Sequence, residues 1–183
     1  MKLNIIGLCF IILFSSSGQA FEFKSIEIGG VSTPEKVKNA LGHSVNCSDT
    51  PAWALHNDDG DIPSYSCSGN TTVAKEPASV FVVIDTESIV KVVEMKLSPD
   101  SYDNVNLELI KKYGVPSKIN NSIVKNIFGV HFEQSISTWV DKNGNEIFYS
   151  KYTSSLDKSY LRFSTRSYRD SIEEKKLGRE KDM

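Results

Sequence analysis

The stretch SVFVVIDTESIVKVVEMKL, residues 79–97, decides the fold. Its first part, residues 79–84, is nearly all apolar, and residues 89–97 are again rich in valine and isoleucine. The polar residues 85–88 (DTES) lie between them as a turn, which is typical of an antiparallel β-hairpin. Apolar side chains fall on both faces of the second strand, so we expect the sheet to be partly covered on both sides.

A helix is predicted before and after this hairpin. The first covers residues 33–41, with Gly42 as its stop. Ser32 is suited to cap it, and Pro34 fits its first turn. The second, residues 98–113, begins with another Ser-Pro pair and is followed by a glycine. Two short helices packed on antiparallel sheet predict an α+β fold.

Antiparallel strands are also predicted after the second helix. Residues 130–140 and 146–153 flank an Asn-Gly turn, which accepts the positive φ angles of a tight hairpin. Residues 159–168 alternate apolar and polar side chains, as in a strand with one buried face. Each half of the chain is then a capped helix followed by antiparallel strands. The sequence therefore predicts two related α-β-β halves, residues 21–97 and 98–169.

The N-terminus predicts export. Residues 1–20 combine Lys2, a ten-residue apolar run and the small residues Gly18 and Ala20. This is the pattern of a secretory signal peptide that is cleaved after Ala20. The apolar run is shorter than the roughly 20 residues that a spanning helix needs. We therefore expect a periplasmic or secreted protein with no transmembrane segment in its mature chain.

The exported chain is expected to be a single domain. Removing 20 of the 183 residues leaves 163, a length that suits one domain. We place this domain over residues 21–169. Residues 170–183 form a charged tail, which we expect to be either helical or disordered.

Two cysteines remain after cleavage, because Cys9 lies in the signal. In an exported chain, Cys47 and Cys67 predict a disulfide, with two free buried thiols as the alternative. The disulfide would close a loop of about 20 residues and contribute roughly 3 kcal/mol. Residues 43–78 show no helical or strand period, so we expect them to form an ordered loop held by this disulfide.

Two motifs resemble a family of small envelope proteins. Residues 30–42 (GVSTPEKVKNALG) are similar to its G-x-[ST]-x-x-x-V-x-x-x-L-G helix, and residues 109–117 (LIKKYGVPS) to a second copy ending in Gly-x-Pro. The family includes the SmpA/OmlA outer-membrane assembly proteins and the β-lactamase inhibitor proteins. The resemblance implies helices packed on an antiparallel sheet. It carries over no functional residue, and the lipid-anchoring cysteine of the assembly proteins is missing here.

Composition and motifs argue against several function classes. The formal net charge is -2, so the chain has no overall attraction to nucleic acid. The cysteines are assigned to a disulfide rather than to zinc. The acidic run of residues 57–61 lacks the spacing of an EF-hand loop and indicates a solvated turn rather than a calcium site. We expect no metal and no cofactor.

An enzyme is the weaker of two function hypotheses. The candidate catalytic residues are His43, His56 and His131, and no Gly-x-Ser-x-Gly motif accompanies them. Structural or solvent-exposed roles are therefore favoured for the three. The alternative is a small periplasmic hydrolase with a dispersed site around His43 or His131. A structural envelope protein without a tight ligand is a third hypothesis.

A stripe of aromatic and basic residues is the candidate binding surface. On the polar face of the strand predicted at residues 159–168, tyrosine and arginine alternate, and Trp139 is expected nearby. The stripe consists of Tyr160, Arg162, Arg166 and Tyr168. These residue types are enriched at binding hot spots, although a covered sheet face is an equal alternative. We therefore predict a non-enzymatic protein that binds another protein, with an inhibitor or immunity protein of a secreted enzyme as one version.

Overall fold

The computed structural model describes residues 20–50 and 64–181. The predicted signal peptide therefore lies almost wholly outside the described residues. The acidic run of residues 57–61 and His56 also lie outside them. None of the helices in the described part combines the length and apolarity that a membrane-spanning helix requires.

An antiparallel sheet of eight strands forms the body of the described chain, in the order β3-β4-β5-β6-β10-β9-β8-β7. A short hairpin, β1–β2, and three helices accompany it, so the predicted α+β class is confirmed. The strands are β1 (Glu22–Phe23), β2 (Ile26–Glu27), β3 (Asn46–Thr50), β4 (Ser64–Val73), β5 (Glu76–Ile84), β6 (Val90–Leu97), β7 (Lys118–Lys125), β8 (His131–Val140), β9 (Glu146–Ser150) and β10 (Ser159–Ser164). The helices are α1 (Pro34–Leu41), α2 (Tyr102–Tyr113) and α3 (Arg166–Lys181).

The predicted hairpin is β5–β6, and it lies near the centre of the sheet. Val82 on β5 pairs with Val93 on β6, and Val93 pairs in turn with Phe163 on β10. Directly opposed side chains share a face of the sheet, so these pairs belong to one row. The full row across seven strands is Cys47, Cys67, Val82, Val93, Phe163, Ile147 and Trp139. We call the face that carries this row the core face, and the opposite one the outer face.

Helices α1 and α2 both cover the core face. Their buried residues Val37, Leu41, Val105 and Leu109 belong to the same apolar cluster as the strand residues. The α1 cap differs in detail from the prediction: the Thr33 hydroxyl, not Ser32, accepts a 3.3 Å hydrogen bond from a backbone N–H of the first turn. Burial of these side chains against the sheet stabilises both helices, which are too short to be stable alone.

The predicted N-terminal strand is interrupted by a tight turn. Lys24 and Ser25 have φ angles of 47° and 66°, which reverse the chain between β1 and β2. The apolar side chains on either side still point inward, and the ring of Phe23 lies 5.8 Å from that of Phe163. The hairpin therefore closes one side of the core.

The described parts of residues 43–78, which are residues 43–50 and 64–78, are not the irregular loop that we predicted. They contain β3, β4 and the start of β5. The rest of the predicted loop lies outside the described residues. The disulfide itself is confirmed, and it joins directly paired residues, Cys47 on β3 and Cys67 on β4. The prediction failed because β4 consists mainly of small polar residues. It therefore carries no apolar alternation, although all of it except Ser64 pairs with β5.

Two further elements differ from the sequence prediction. β7 was not predicted at all. The strand predicted over residues 159–168 ends at Ser164, because the Thr165 hydroxyl accepts a 3.2 Å hydrogen bond from Tyr168 N and begins α3. Of the two alternatives for the charged tail, the structure has a helix as far as Lys181.

Candidate functional site

The predicted stripe is divided between the two faces of the sheet. Trp139 is on the core face and only 2% exposed, and its Nε1 donates a 2.8 Å hydrogen bond to the carbonyl of Gly114. Tyr160 pairs with Lys96 and Ser150, which are on the outer face. Placing Trp139 near the tyrosines was therefore wrong.

The wrong placement of Trp139 came from the polar residues of β8. Ser135 and Ser137 resemble solvent-facing residues in the sequence, but α2 covers them. The Tyr102 hydroxyl lies 3.2 Å from Ser135 Oγ and 3.3 Å from Ser137 Oγ. These hydrogen bonds satisfy the polar groups at the helix–sheet contact, so the polar face of the strand is the covered one. Val130 and Val140, whose positions alternate with those of the two serines, are exposed instead.

Tyr160, Arg162 and Tyr168 do come together on the outer face. The Tyr160 hydroxyl donates a 2.6 Å hydrogen bond to Glu94 Oε1, and Arg162 Nη2 lies 3.0 Å from Glu146 Oε1. Tyr168 reaches the same place from α3 rather than from the strand. We call these five residues the outer-face cluster.

The charges of the outer-face cluster are balanced within the chain. The side chains of Arg162 and Glu146 are only 18% and 14% exposed, and Glu146 is also within 3.4 Å of Arg169 Nη1. The Arg162 guanidinium lies over the ring of Phe148 at 5.5 Å. The cluster therefore fits the alternative that the sequence left open, a sheet face covered by packed tyrosine and arginine side chains.

Burial keeps the tyrosines of this cluster protonated. It raises the pKa of Tyr168 to about 12, and the nearby carboxylate of Glu94 acts in the same direction. For Tyr160, burial and Glu94 raise the pKa well above its ordinary value of 10. The Tyr160 hydroxyl can donate to Glu94 only while it is protonated, so this hydrogen bond is one of the causes of the raised pKa of Tyr160.

Arg166 is separate from the cluster. It lies exposed at the start of α3, where its Nε is 3.5 Å from the carboxylate of Asp170, one turn later. Such a solvent-exposed pair contributes little to stability. Of the predicted stripe, Arg166 is thus the residue with the most freedom to contact another molecule.

The sequence prediction missed a surface at the edge of the sheet that β7 forms. The β7–β8 hairpin, residues 118–140, carries exposed apolar side chains along its length and at its tip. They are Ile119, Ile123, Ile127, Phe128 and Val130. At the tip, Ile127 and Phe128 are 93% and 83% exposed. Contiguous exposed apolar groups of this kind mark interaction sites in soluble proteins.

The tip of the hairpin is an ordered turn. Asn126 Oδ1 accepts hydrogen bonds of 3.0 Å from Phe128 N and 2.9 Å from Val130 N. The backbone N–H of Gly129 donates to the carbonyl of Asn126 at 3.0 Å, and Gly129 has a φ of 78°, which glycine adopts without strain. The backbone that carries Ile127 and Phe128, the two most exposed large apolar residues of the described chain, is therefore held in a fixed conformation.

The base of the hairpin is anchored to the segment that follows α2, and beyond this base the hairpin borders an open groove. Anchoring comes from the Trp139–Gly114 hydrogen bond and from a 3.3 Å bond between Val140 N and Ser117 Oγ. The groove, of about 630 Å³, is lined by Tyr102, Asn106, Asn121, Ile123, Glu133 and Ser135. Among the described residues, Asn106 Oδ1 is buried there and has no hydrogen-bond partner.

A sequence signal for this surface exists, although it is weak. Asn126 and Gly129 are turn-forming residues, and they bracket two large apolar side chains, which is unusual for a solvated loop. The strand before the turn, KINNSIVK, has no regular alternation. Periodicity alone therefore cannot identify it.

Of the three candidate histidines, His43 and His131 lie in the described residues, and both are exposed. Within residues 20–50 and 64–181, neither side chain is hydrogen-bonded to a serine or a carboxylate. Over the same ranges, no cluster of three or more His, Cys, Asp or Glu residues has a geometry that could hold a metal ion.

Comparison with known proteins identifies no family. No family model matches the sequence, and no solved structure matches it. A curated protein, selenoprotein P from Bos taurus, is 26% identical over 111 residues, a match that covers 57% of this chain. The chain spans 27% of the length of that relative. The resemblance to the SmpA/OmlA and β-lactamase-inhibitor family stays a prediction.

Proposed function

We propose that this chain is an exported, non-enzymatic protein that binds another protein through the β7–β8 hairpin. The observation that carries the proposal is the pair Ile127 and Phe128, which are almost fully exposed on an ordered turn. Burying one such side chain is worth about 1.5–3 kcal/mol, so the free protein gains by covering them.

The rigidity of the tip supports the same proposal. Binding costs free energy when a loop and its side chains must be ordered at the interface. Here the Asn126 side chain already fixes the backbone of the turn. A partner with an apolar cleft therefore meets a surface that needs little rearrangement, which favours a specific inhibitor-like or immunity-like contact.

Export is supported by the disulfide. Cys47 and Cys67 are bonded, and such bonds persist mainly in oxidising compartments. Together with the signal-like pattern of residues 1–20, this supports a periplasmic or secreted location.

We also propose that the chain contains two related halves. In chain order, α1 is followed by β3–β6 and α2 by β7–β10, and the last strands of the two sets pair with each other. Both helices end at a glycine whose N–H donates to a carbonyl four residues earlier, Gly42 to Lys38 and Gly114 to Ile110. The two halves therefore share the order of their helix and strands and the way in which the helix ends, which supports an origin by duplication.

Affinity capture with matched variants tests the binding proposal. Ile127→Ser combined with Phe128→Ser removes the apolar tip, and we expect it to abolish capture of the partner from the native extract. Leu107→Ser is the control, because Leu107 is an exposed apolar residue on α2 and is not part of the hairpin. Tyr160→Ala combined with Arg162→Ala tests the outer-face cluster, and we expect capture to persist. Capture that survives loss of the tip overturns the proposal.

A further inference from the structure

We propose that the partner binds by adding an extended strand antiparallel to the free edge of β7, and that this strand is acidic at both ends and apolar opposite Ile119 and Ile123. The inference rests on the proposed function and specifies its binding mode. Within residues 20–50 and 64–181, β7 has a neighbour on one side only, β8. Its other side therefore presents unpaired backbone groups, which can template a further strand.

The hydrogen bonds identify which backbone groups are free. Asn126 N donates to Val130 O, so this pair is bonded across the hairpin. Bonded and non-bonded pairs alternate along an antiparallel ladder. Counting back from Asn126, the N–H and C=O groups of Ile119, Asn121 and Ile123 point away from β8. The Ser135 carbonyl supports this assignment. Ser135 is opposite Asn121, and its carbonyl points away from β7 and accepts a 2.9 Å hydrogen bond from Lys151 N.

The same three residues determine the side chains that a partner strand needs. Ile119, Asn121 and Ile123 all lie on the core-face side, since Ile119 pairs with Ser137 and Asn121 with Ser135. A strand added at this edge places its own side chains directly opposite them, on the same face. Apolar residues fit opposite the two isoleucines, and a small polar residue fits opposite Asn121 and the polar groove beside it.

Charge specifies the ends of the partner strand. Lys118 and Lys125 are the first and last residues of β7, and both are exposed. β7 contains no aspartate or glutamate, so these two lysines are its only charged residues. Acidic residues opposite the two lysines give favourable cross-strand pairs.

A second copy of this chain fits the edge less well than an acidic segment. The free groups of β7 allow a symmetric antiparallel register centred on Asn121, in which Ile119 of one chain is opposite Ile123 of the other. In that register Lys118 is opposite Val124 and Lys125 is opposite Ser117, so neither lysine gains a partner of opposite charge. A strand with acidic ends pairs both lysines. The occupant that we infer is therefore a different, acidic-ended strand.

A designed peptide tests the inference on the full chain. The peptide EVVTTTVE, blocked at both ends, places valine opposite Ile123 and Ile119, threonine opposite Asn121, and glutamate opposite Lys125 and Lys118. Two matched peptides are controls: KVVTTTVK reverses the end charges, and EVVTPTVE breaks the strand. Binding is measured by NMR titration of the backbone amides and by hydrogen exchange.

We expect EVVTTTVE to bind at least fivefold more tightly than KVVTTTVK at low salt, and EVVTPTVE not to bind. The amides of Ile119, Asn121 and Ile123 should gain protection. In the chain variant Lys118→Glu combined with Lys125→Glu the preference should reverse, so that KVVTTTVK binds more tightly. This reversal separates a specific pairing from a general stickiness of the edge.

Three results overturn the inference: no binding of EVVTTTVE, binding without protection of the β7 amides, or equal affinity for the two end charges. A β7-dependent dimer in sedimentation also overturns it, in favour of a second copy. These outcomes are distinct from failure of the proposed function. If EVVTTTVE does not bind while removal of the tip still abolishes capture, the proposal that the hairpin binds a partner is supported and the proposal of strand addition is rejected.

Discussion

The Tyr160 hydroxyl donates its hydrogen bond to the carboxylate of Glu94, which lies on the neighbouring strand β6, at 2.6 Å. Glu94 is in turn directly opposite Arg162. Two residues that the sequence suggests for binding a partner are thus joined by an acidic residue of their own sheet. Their polar groups serve the packing of α3 on the outer face, which leaves the binding role to another surface.

Tyr160→Phe should therefore destabilise the protein. The change leaves the partly buried Glu94 without its donor, and we expect a loss of about 1–2 kcal/mol in the free energy of unfolding. Urea denaturation measures it. Tyr65→Phe is the matched control, because Tyr65 is 41% exposed. Equal urea midpoints for the two variants would show that the Tyr160–Glu94 bond contributes nothing.

Ionisation of four buried tyrosines should be delayed to high pH. The pKa is raised for Tyr168, to about 12, and also for Tyr113, Tyr149 and Tyr160, in each case mainly by burial. In the folded protein, phenolate absorbance of the seven tyrosines should therefore still be rising near pH 12. In denaturant all seven should titrate together near pH 10. A single folded-state transition near pH 10 would contradict the burial of these rings.

The same shifts determine the sign of the pH dependence. The pKa of Tyr168 is higher in the folded than in the unfolded chain, so its contribution to stability is complete below pH 10 and is lost as the pH rises towards about 12. Urea midpoints should fall over this interval, and less steeply in Tyr168→Phe. Identical slopes of the urea midpoint against pH for the variant and the natural chain would show that Tyr168 does not contribute to this pH dependence.

Reduction of the disulfide should destabilise the chain without changing its fold. Cys47 and Cys67 are 20 residues apart, which corresponds to about 3 kcal/mol in the chain-entropy view. We expect the urea midpoint to fall on addition of a reductant. The double variant Cys47→Ala, Cys67→Ala should have the lower midpoint with and without reductant. A midpoint that is unchanged after verified reduction would contradict the prediction.

Gly69→Ala should be among the most damaging single-methyl changes. A Cβ at Gly69 would lie 2.8 Å from Val45 Cα, a backbone atom that cannot move without shifting the segment before β3. We expect a loss of more than about 2 kcal/mol, measured as a lower unfolding midpoint. Ser68→Ala, at the neighbouring exposed position, should change the midpoint little. Comparable midpoints for the two would indicate that β3 is not packed this closely.

The elements that sequence rules predicted are those that local chemistry specifies. The β5–β6 hairpin and the two capped helices carry signals within a few residues of each other, and the disulfide follows from two cysteines left in an exported chain. β4 carries none, because Val82 on the next strand supplies the apolar contact for Cys67. Long-range pairing of this kind cannot be read from a polar segment by its own periodicity.

The candidate site was harder to predict than the fold, for two physical reasons. Which face of β8 is buried depends on Tyr102. Its hydroxyl forms a hydrogen bond with Ser135, so the face that carries the serines can be covered. Ile127 and Phe128 break the usual rule that large apolar residues are inside, so sequence patterns assign them to a core that does not contain them. Exposure, which identifies them, is a property of the folded chain only.

Site-specific photo-crosslinking tests the central claim most directly. A benzophenone side chain is placed at Phe128 in the full chain, with Leu107 and Tyr160 as comparison positions, and the protein is irradiated in the cells that make it. The account predicts a covalent adduct with one recurrent protein from position 128 and none from position 107. Adducts that form at Leu107 or Tyr160 but not at Phe128 would contradict it.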